Sequence, residues 1–299
     1  MNPRYPVYIP SKRRANNCLT AEYFIEDKLP FYLVVEPQEA HIYATKFGEE
    51  RLLILPENDH TDENGNPDGL IYVRNWIKGH ATANGHKRHW QVDDNCRGVW
   101  RVYKGKRIRC PAGVGFRATE DLVDRYTNVA ISGLNYYAFA FGQKQPFIVN
   151  AHVYSCTLIL NSISNRWRLR YNDDTDMCLQ VLADGWCTIL MNAFTIHKQQ
   201  TMTMKGGNTD QLYINDGRLD MARSLERMWP NVVETKRRWG RPQHVIKNQW
   251  GKFDTPLIRR TDIDFDNLPN NEYGLSLQQI APEIKSKKLQ KLVSEYGQQ

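Results

Sequence analysis

Long apolar runs are absent from this sequence. A transmembrane helix needs about 18 consecutive apolar residues, and the 299 residues contain no such stretch. The first residues also lack the apolar core of a signal peptide. We therefore expect a cytoplasmic protein without a membrane partner.

Paired cysteines are absent as well. The six cysteines include no Cys-x-x-Cys pair, and a disulfide framework is typical of short secreted chains. We predict that these cysteines are reduced and mostly buried. His80, His86 and His89 lie close together in the sequence, but no cysteine stands at the spacing of a zinc site, so zinc is not expected.

Glycine-rich phosphate loops are a third absence. Neither Gly-x-Gly-x-x-Gly nor Gly-x-x-x-x-Gly-Lys-Ser/Thr occurs, which argues against a dinucleotide-binding fold and against a P-loop NTPase. The composition is otherwise that of an ordinary globular protein, with 41% hydrophobic and 24% charged residues.

Positive charge is present and unevenly placed. The formal net charge is +7, and residues 236–260 contain eight Lys or Arg against one Asp. Basic residues with tryptophans between them, here Trp239 and Trp250, suit a nucleic acid backbone and its bases. A solvated basic surface explains the same pattern, and both interpretations stay open.

Short apolar runs alternate with helix-compatible stretches in the first part of the chain. Strands are predicted at residues 7–9, 32–35, 52–55 and 90–92, and helices at 20–26, with Thr20 as N-cap, and at 70–83. This alternation predicts an α/β fold in which helices cover a mostly parallel sheet. Ligands of such sheets bind beyond the carboxyl ends of the strands.

The rest of the chain divides into a continuation of this domain and a tail. Further β-prone segments are residues 129–131, 136–141, 147–149, 157–163, 186–190 and 193–197, and helices are predicted at 177–183 and 221–229. We predict one domain over residues 1–260, followed by a linker at 262–274 and a short basic helix at 285–296.

The sharpest local motif follows the fourth predicted strand. Asp93, Asp94 and Asn95 offer carboxylate and amide oxygens, which hard divalent cations prefer and which let such a cation bridge to phosphates. The same triplet is common in turns that bind nothing. Arg14 and Arg74 lie near this edge of the predicted sheet, and arginine side chains match diphosphate oxygens.

A second acidic cluster contains Asp173, Asp174 and Asp176. Three carboxylates within four residues repel one another, so at least one pKa should be raised, as suits a general base or a residue that orients an acceptor hydroxyl. Capping of a helix N-terminus explains the same residues.

His197 precedes a glycine-containing loop. Its imidazole is a candidate to complete a metal site begun by Asp94 and Asn95, although a lone histidine is more often structural.

The order of these motifs resembles a GT-A type glycosyltransferase. The stretches that carry the resemblance are Ile-Pro-Ser-Lys at 9–12, Val-Val-Glu-Pro at 34–37, the helix with Arg74 and Asn75, and Trp-Gln-Val-Asp-Asp-Asn at 90–95, whose Asp turn takes the place of the DxD motif. Residues 128–133, 166–168, 171–176, 206–209 and 216–218 resemble, more specifically, the phage-type TET/JBP-associated glycosyltransferases. The resemblance runs from about residue 5 to 260.

This resemblance implies a fold, an activity and a set of site residues. The expected fold is a GT-A type three-layer α/β sandwich with a mostly parallel mixed sheet. The expected reaction, in the cytoplasm of an infected bacterial host, transfers a sugar from a UDP-linked nucleotide-sugar to the hydroxyl of 5-hydroxymethylpyrimidine in DNA, with Mg²⁺ or Mn²⁺. The donor-binding positions are Pro10, Ser11, Arg14, Glu36, Arg74, Asn75, Asp93 and Asp94, the metal-binding positions are Asp94, Asn95 and His197, and the catalytic positions are Asp174 and Asp173.

Two departures from the family pattern refine these roles. Arg13 stands where the family commonly has glycine, and Asp173 stands where it has glutamate, which leaves Asp174 as the better candidate base. Because the implied acceptor is DNA, we expect the acceptor phosphates to be held by Arg237, Arg238 and Arg241.

Three alternatives stay open at this point. A two-metal nuclease or nucleotidyltransferase would be built on Asp93, Asp94, Asp174 and Asp176. A non-catalytic DNA-binding module would need the basic segment alone. A glycosyltransferase with a protein or small-molecule acceptor is the third.

Overall fold

A computed structural model describes residues 1–103, 106–140, 145–199, 206, 218–238 and 240–268. Its α-helices are α1 (Leu19–Glu26), α2 (Ala40–Phe47), α3 (Ile71–Ala83), α4 (Ala112–Val123), α5 (Asp173–Ala183) and α6 (Arg218–Met228). Its strands are β1 (Val7–Pro10), β2 (Tyr32–Val35), β3 (Leu52–Ile54), β4 (Arg88–Val92), β5 (Cys96–Tyr103), β6 (Lys106–Cys110), β7 (Val129–Tyr136), β8 (Phe147–Val149), β9 (Cys156–Leu160), β10 (Cys187–Lys198), β11 (Val233–Arg238) and β12 (Arg241–Ile246).

Ten strands of the described chain form one mixed sheet. Their order is β3-β2-β1-β4-β9-β7-β10-β5-β6, and β8 pairs with β10. The four strands β1 to β4 run in the same direction. They are joined in that direction by β7, β10 and β6, whereas β9, β5 and β8 run against them. The carboxyl ends of β1, β4, β7 and β10 therefore meet at one edge of the sheet, which we call the carboxyl edge.

Helices cover both faces of this sheet because successive strand residues point to opposite faces. On one face, Trp90 of β4 stacks on Phe116 of α4, whose ring also meets Phe24 of α1. On the other face, one buried cluster joins β1 and β2 to α3, and a second joins β7 and β9 to α5. The three-layer α/β sandwich expected from the sequence is confirmed.

Most predicted elements are present, and several of them differ in their bounds. Thr20 lies inside α1, whose N-cap is Cys18. The buried Thr20 hydroxyl does not cap the helix, because it binds the turn after β4. Helix α5 begins at Asp173, four residues before the predicted start. Strand β7 ends at Tyr136, where the chain turns. The two runs predicted at 186–190 and 193–197 form the single strand β10.

The basic segment begins with a β-hairpin. Strands β11 and β12 pair in register from Val233 opposite Ile246 to Arg238 opposite Arg241. The chain divides into a unit of residues 1–260 and a unit of residues 261–299, and the structure describes the second unit only as far as residue 268. The helix predicted at 285–296 and most of the predicted linker lie outside the described residues.

The cysteines agree with the expectation that they are reduced and mostly buried. All six cysteines are free, and five of them are buried. No helix among the described residues has the length and apolar character needed to cross a membrane.

Candidate functional site

The site is built around the turn that follows β4. Helix α1 fixes this turn through Thr20, whose hydroxyl donates to the Asp93 carbonyl at 2.5 Å and accepts the N–H of Cys96 at 2.8 Å. The Thr20 N–H also donates to the Asp94 carbonyl at 3.1 Å. Both aspartate side chains are thereby held at the carboxyl edge, in directions that their fixed backbone determines.

Asp93 lies between two buried cations. One carboxylate oxygen accepts a hydrogen bond from Lys198 Nζ at 2.8 Å, and the other accepts one from an Arg74 terminal nitrogen at 3.2 Å. Burial alone would raise the pKa of Asp93, but Lys198 and Arg74 outweigh burial and lower it to about 2. Asp93 is therefore ionised at any working pH.

Arg74 joins this turn to the N-terminus of α5. Its Nε lies 2.7 Å from an Asp173 oxygen, and a terminal nitrogen lies 3.4 Å from an Asp174 oxygen. The Nε contact lacks hydrogen-bond geometry and counts as an ion pair only. Burial lowers the pKa of Arg74, but Asp174, Asp173 and Asp93 together raise it. The guanidinium is thus a permanent positive charge shared by three carboxylates.

Asp174 has the most unusual titration at this edge. Burial raises the pKa of its carboxyl to about 7, with Asp173 and Asp93 adding to the effect and Arg74 opposing it. Its carboxylate accepts the N–H of Ser155 at 3.1 Å, and 17% of the side chain is exposed. Two neighbouring aspartates with pKa values pushed in opposite directions are typical of an acid/base site.

Ser155 connects these parts. Its carbonyl accepts the Asp93 N–H at 2.8 Å, and its hydroxyl accepts from Lys198 at 2.7 Å and contacts the Tyr136 hydroxyl at 2.6 Å. Its φ of 60° lies in the left-handed region, which costs a residue with a side chain about 1–2 kcal/mol. Strain of this kind concentrates at functional sites, where the surroundings hold it.

Asp94 forms the second half of the site with two predicted donor-binding residues. One of its oxygens accepts from Arg14 at 2.7 Å and the other from Ser11 at 2.8 Å. Burial raises the pKa of Asp94, and Arg14 opposes the rise. Arg14 also donates to the Gly206 carbonyl at 2.9 Å. Beside this pair opens a cavity of about 520 Å³, which Arg13 and Arg14 help to line.

The loop after β1 has an unusual backbone conformation at Arg13, the position where the sequence departs from the family pattern that it resembles. Arg13 adopts a φ of 56°, in the left-handed region that glycine enters without cost. Its N–H donates to Glu39 at 2.6 Å. The preceding Lys12 bridges Glu36 at 2.7 Å and Asp59 at 2.8 Å. Pro10 ends β1, so Pro10 and Glu36 lie at the carboxyl edge as predicted, with Glu36 already paired to a lysine.

Asn75 and Asp176 were predicted near the chemistry, and the structure gives both another role. The Asn75 amide donates to the Trp167 carbonyl at 2.8 Å and accepts its N–H at 3.1 Å. Asp176 is buried, holds Arg168 by two bonds of 3.0 Å and accepts from Trp229 at 2.7 Å. Both side chains anchor loops.

His197 is a further correction. Its ring lies 5.9 Å from that of Trp100 and 5.8 Å from that of Tyr137, and the side chain is exposed. The next residue of the strand, Lys198, is the one that reaches Asp93. The pairing of β10 with β5 is irregular between His197 and Lys198, so the register of the strand shifts at this point.

The metal implied by the resemblance does not fit the side chains as they are arranged. Every carboxylate oxygen of Asp93 and Asp94 accepts a hydrogen bond or ion pair from a neighbouring side chain, and most of these partners are cations. Among the described residues no three His, Cys, Asp or Glu side chains converge as a metal cluster. Asn95 keeps a buried Oδ1 without a partner, which is a single oxygen ligand. A divalent ion held by protein ligands would have to displace arginine or lysine.

The predicted DNA-binding arginines lie elsewhere on the chain. Arg237, Arg238 and Arg241 are exposed at the tip of the hairpin β11–β12. Lys236 in the same strand is paired with Glu234 at 2.6 Å.

Three residues of the site, Lys198, Tyr136 and Ser155, were not predicted from the sequence. Lys198 was overlooked in favour of His197, and the irregular pairing of β10 between these two residues gives no signal in the sequence. Tyr136 was assigned only to a β-prone segment. Ser155 gave no signal, because its backbone conformation and its four contacts arise only from the folded chain.

The described geometry is a buried acid/base pair ringed by fixed cations at the carboxyl edge of a mixed sheet, which suits transfer of a group from a negatively charged leaving group. A comparison with curated proteins found no match. The family model described as TET-Associated Glycosyltransferase matches residues 5–207, about two thirds of the chain. This span contains every residue of the carboxyl edge described above. The chain therefore belongs to the TET-associated glycosyltransferase family.

Proposed function

We propose that this glycosyltransferase moves a sugar from a UDP-linked nucleotide-sugar to the hydroxyl of 5-hydroxymethylpyrimidine in DNA. The observation that carries the proposal is the position of Asp174. Its carboxyl, with a pKa of about 7, lies partly exposed beside the fixed charge of Arg74, and Ser155 links it to Lys198. A general base works best when its pKa is near the working pH.

The reaction is a displacement at the anomeric carbon of the sugar. The hydroxymethyl oxygen forms the new bond to that carbon, its proton passes to the Asp174 carboxylate, and the bond to the diphosphate breaks. Negative charge then grows on the leaving diphosphate. Fixed cations in a site of low water content stabilise such charge without reorganising, and Arg14, Arg74 and Lys198 are the cations available there.

The donor and acceptor are assigned to different surfaces. The cavity beside Arg14 has room for a nucleoside and borders the Asp94 pair. The exposed arginines of the hairpin suit the phosphates of a DNA acceptor. No step of this mechanism depends on a divalent ion. Metal dependence is a separate expectation, which an assay in Mn²⁺, Mg²⁺ or EDTA tests.

The proposal is tested by incubating the full chain with labelled UDP-sugars and three acceptors: hydroxymethylated DNA, unmodified DNA and protein. We expect label only in hydroxymethylated DNA, and we expect Asp174→Asn to lose roughly 10²–10⁴-fold in rate. Asp184→Asn is the matched control, because Asp184 ends the same helix and is exposed. Label in protein alone, or cleavage of DNA without label, would refute the proposal.

A further inference from the structure

A cluster of three aromatic rings stands beside the acid/base pair without a role in the chemistry described so far. The Tyr136 ring lies 4.2 Å from Tyr154 and 5.5 Å from Phe139, and Phe139 lies 6.5 Å from Tyr154. Phe139 follows β7 in a tight turn, in which its N–H donates to the Tyr136 carbonyl at 2.9 Å. The three rings, which we call the aromatic cluster, thus lie at the carboxyl edge.

The cluster has one polar end and one apolar end. The Tyr136 hydroxyl contacts Ser155 at 2.6 Å, and the Ser155 N–H binds Asp174, so two contacts separate this ring from the proposed base. At the other end, 62% of Phe139 is exposed, more than any other large apolar side chain in the described part of the chain. An exposed phenylalanine that packs against Tyr136 has a face available for a planar ligand.

The acceptor of the proposed reaction needs such a face. With 17% of its side chain exposed, Asp174 is recessed, so a hydroxymethyl group on a base that stays stacked in a duplex is poorly placed to reach it. Enzymes that act on a base extrude it from the stack and hold it between aromatic or apolar side chains. Stacking on aromatic rings accepts any base and therefore supplies affinity without sequence preference.

We infer that the aromatic cluster binds the extruded acceptor pyrimidine, with Phe139 as its exposed stacking surface, and so brings the hydroxymethyl group to Asp174. This inference rests on the proposed function and assigns the acceptor base a site of its own. It separates the base from the donor, whose diphosphate belongs to Arg14, Arg74 and Lys198.

The test compares Phe139→Ala with the wild type and with two controls. Phe139→Trp keeps a stacking surface, and Ile25→Ala removes an exposed apolar side chain from α1. On duplex DNA with one hydroxymethylcytosine, we expect Phe139→Ala to lower kcat/KM for DNA about tenfold to a hundredfold, with the donor KM unchanged. Phe139→Trp should restore most of the kcat/KM that Phe139→Ala loses, and Ile25→Ala should stay within about twofold of wild type. A mismatch opposite the target should speed the wild type, because extrusion then costs less.

A second measurement does not depend on transfer. With 2-aminopurine next to the target base and no donor present, extrusion of the target raises the fluorescence. We expect the rise with wild type, Phe139→Trp and Ile25→Ala, and its loss with Phe139→Ala at DNA concentrations that keep the complex formed.

The outcomes separate this inference from the proposed function. Unchanged kcat/KM for DNA in an active Phe139→Ala variant overturns the inference and leaves the function standing. A raised donor KM with unchanged DNA kinetics overturns it as well, because the cluster then binds the donor sugar. A third outcome is a wild type that transfers no sugar and still raises the fluorescence, with the rise lost in Phe139→Ala. That result supports the base site and refutes the proposed function. If the wild type neither transfers sugar nor raises the fluorescence, both the inference and the proposed function are refuted.

Discussion

At the scale of single residues, Asp93 and Asp174 both contact Arg74, and their pKa values are shifted in opposite directions. Lys198 supplies a second cation to Asp93, and with Arg74 it lowers the pKa of Asp93 to about 2. Asp174 has Arg74 and the Ser155 N–H against burial and two like charges, and its pKa rises to about 7. One lysine therefore decides which carboxylate is permanently charged and which one can accept a proton.

The raised pKa of Asp174 predicts an opposite effect of pH on activity and on stability. Activity should rise with pH through about 7, because the base works when deprotonated. Stability should fall between about pH 4 and 7, because the folded carboxyl holds a proton that the unfolded one has lost. In thermal denaturation, Asp174→Asn should remove much of this decline. Equal pH dependence of Tm in the two proteins would contradict the assignment.

Lys198 and His197 offer a matched pair of neighbours. Lys198→Met should lower kcat by about 100-fold, because a fixed positive charge at the leaving group is lost. His197→Ala should leave kcat nearly unchanged, since its exposed ring packs against Trp100 and Tyr137. Steady-state kinetics with saturating donor distinguish the two. A larger loss of kcat in His197→Ala than in Lys198→Met would show that His197 takes part in the reaction.

At the scale of elements, α5 presents its functional and its structural carboxylates on different sides. Asp174 faces the site, and Asp176, two positions later, is buried against Arg168 and Trp229. Removing one partner of a buried pair leaves the other uncompensated. The sequence showed three equivalent acids, and only the contacts of the helix distinguish them.

This arrangement predicts that Asp176 contributes to stability and not to chemistry. Asp176→Ala should lower the free energy of unfolding by about 3 kcal/mol, measured by urea denaturation. Asp184→Ala, on the exposed end of the same helix, should cost less than about 1 kcal/mol. A stable Asp176→Ala protein without transfer activity would instead favour a two-metal mechanism that uses this carboxylate.

Sequence patterns predicted elements better than they predicted side-chain directions. Apolar runs located β1 to β4, and the Asp turn after β4 was correctly placed at the carboxyl edge, because strand periodicity and turn residues are local properties. The start of α5 was missed because its first residues are acidic and not apolar. Ser155 and the roles of Asn75 and Asp176 were beyond prediction, since each depends on partners distant in sequence.

At the scale of the whole molecule, the recessed acid/base site and the exposed arginines of the hairpin belong to different parts of residues 1–260. Changing Arg237, Arg238 and Arg241 together to Ala should weaken DNA binding and reduce the salt slope by roughly one for each lost phosphate contact. Donor affinity should stay the same. A control that removes exposed Lys28, Lys46 and Lys87 should change the slope less. Loss of donor affinity with unchanged DNA binding would refute this assignment.

The charges at the carboxyl edge should couple donor binding to the uptake of a proton, which makes the heat of binding depend on the buffer. Around the turn after β4, four carboxylates face three cations, namely Asp93, Asp94, Asp173 and Asp174 against Arg14, Arg74 and Lys198. A diphosphate that enters a site with this excess of negative charge raises the pKa of Asp174 further, so donor binding should draw a proton from the buffer. Calorimetric titration near pH 7.5 in two buffers of different ionisation enthalpy measures that proton. The donor then binds best on the acidic side of the pH range in which the base works best, and the pH optimum is a compromise between the two.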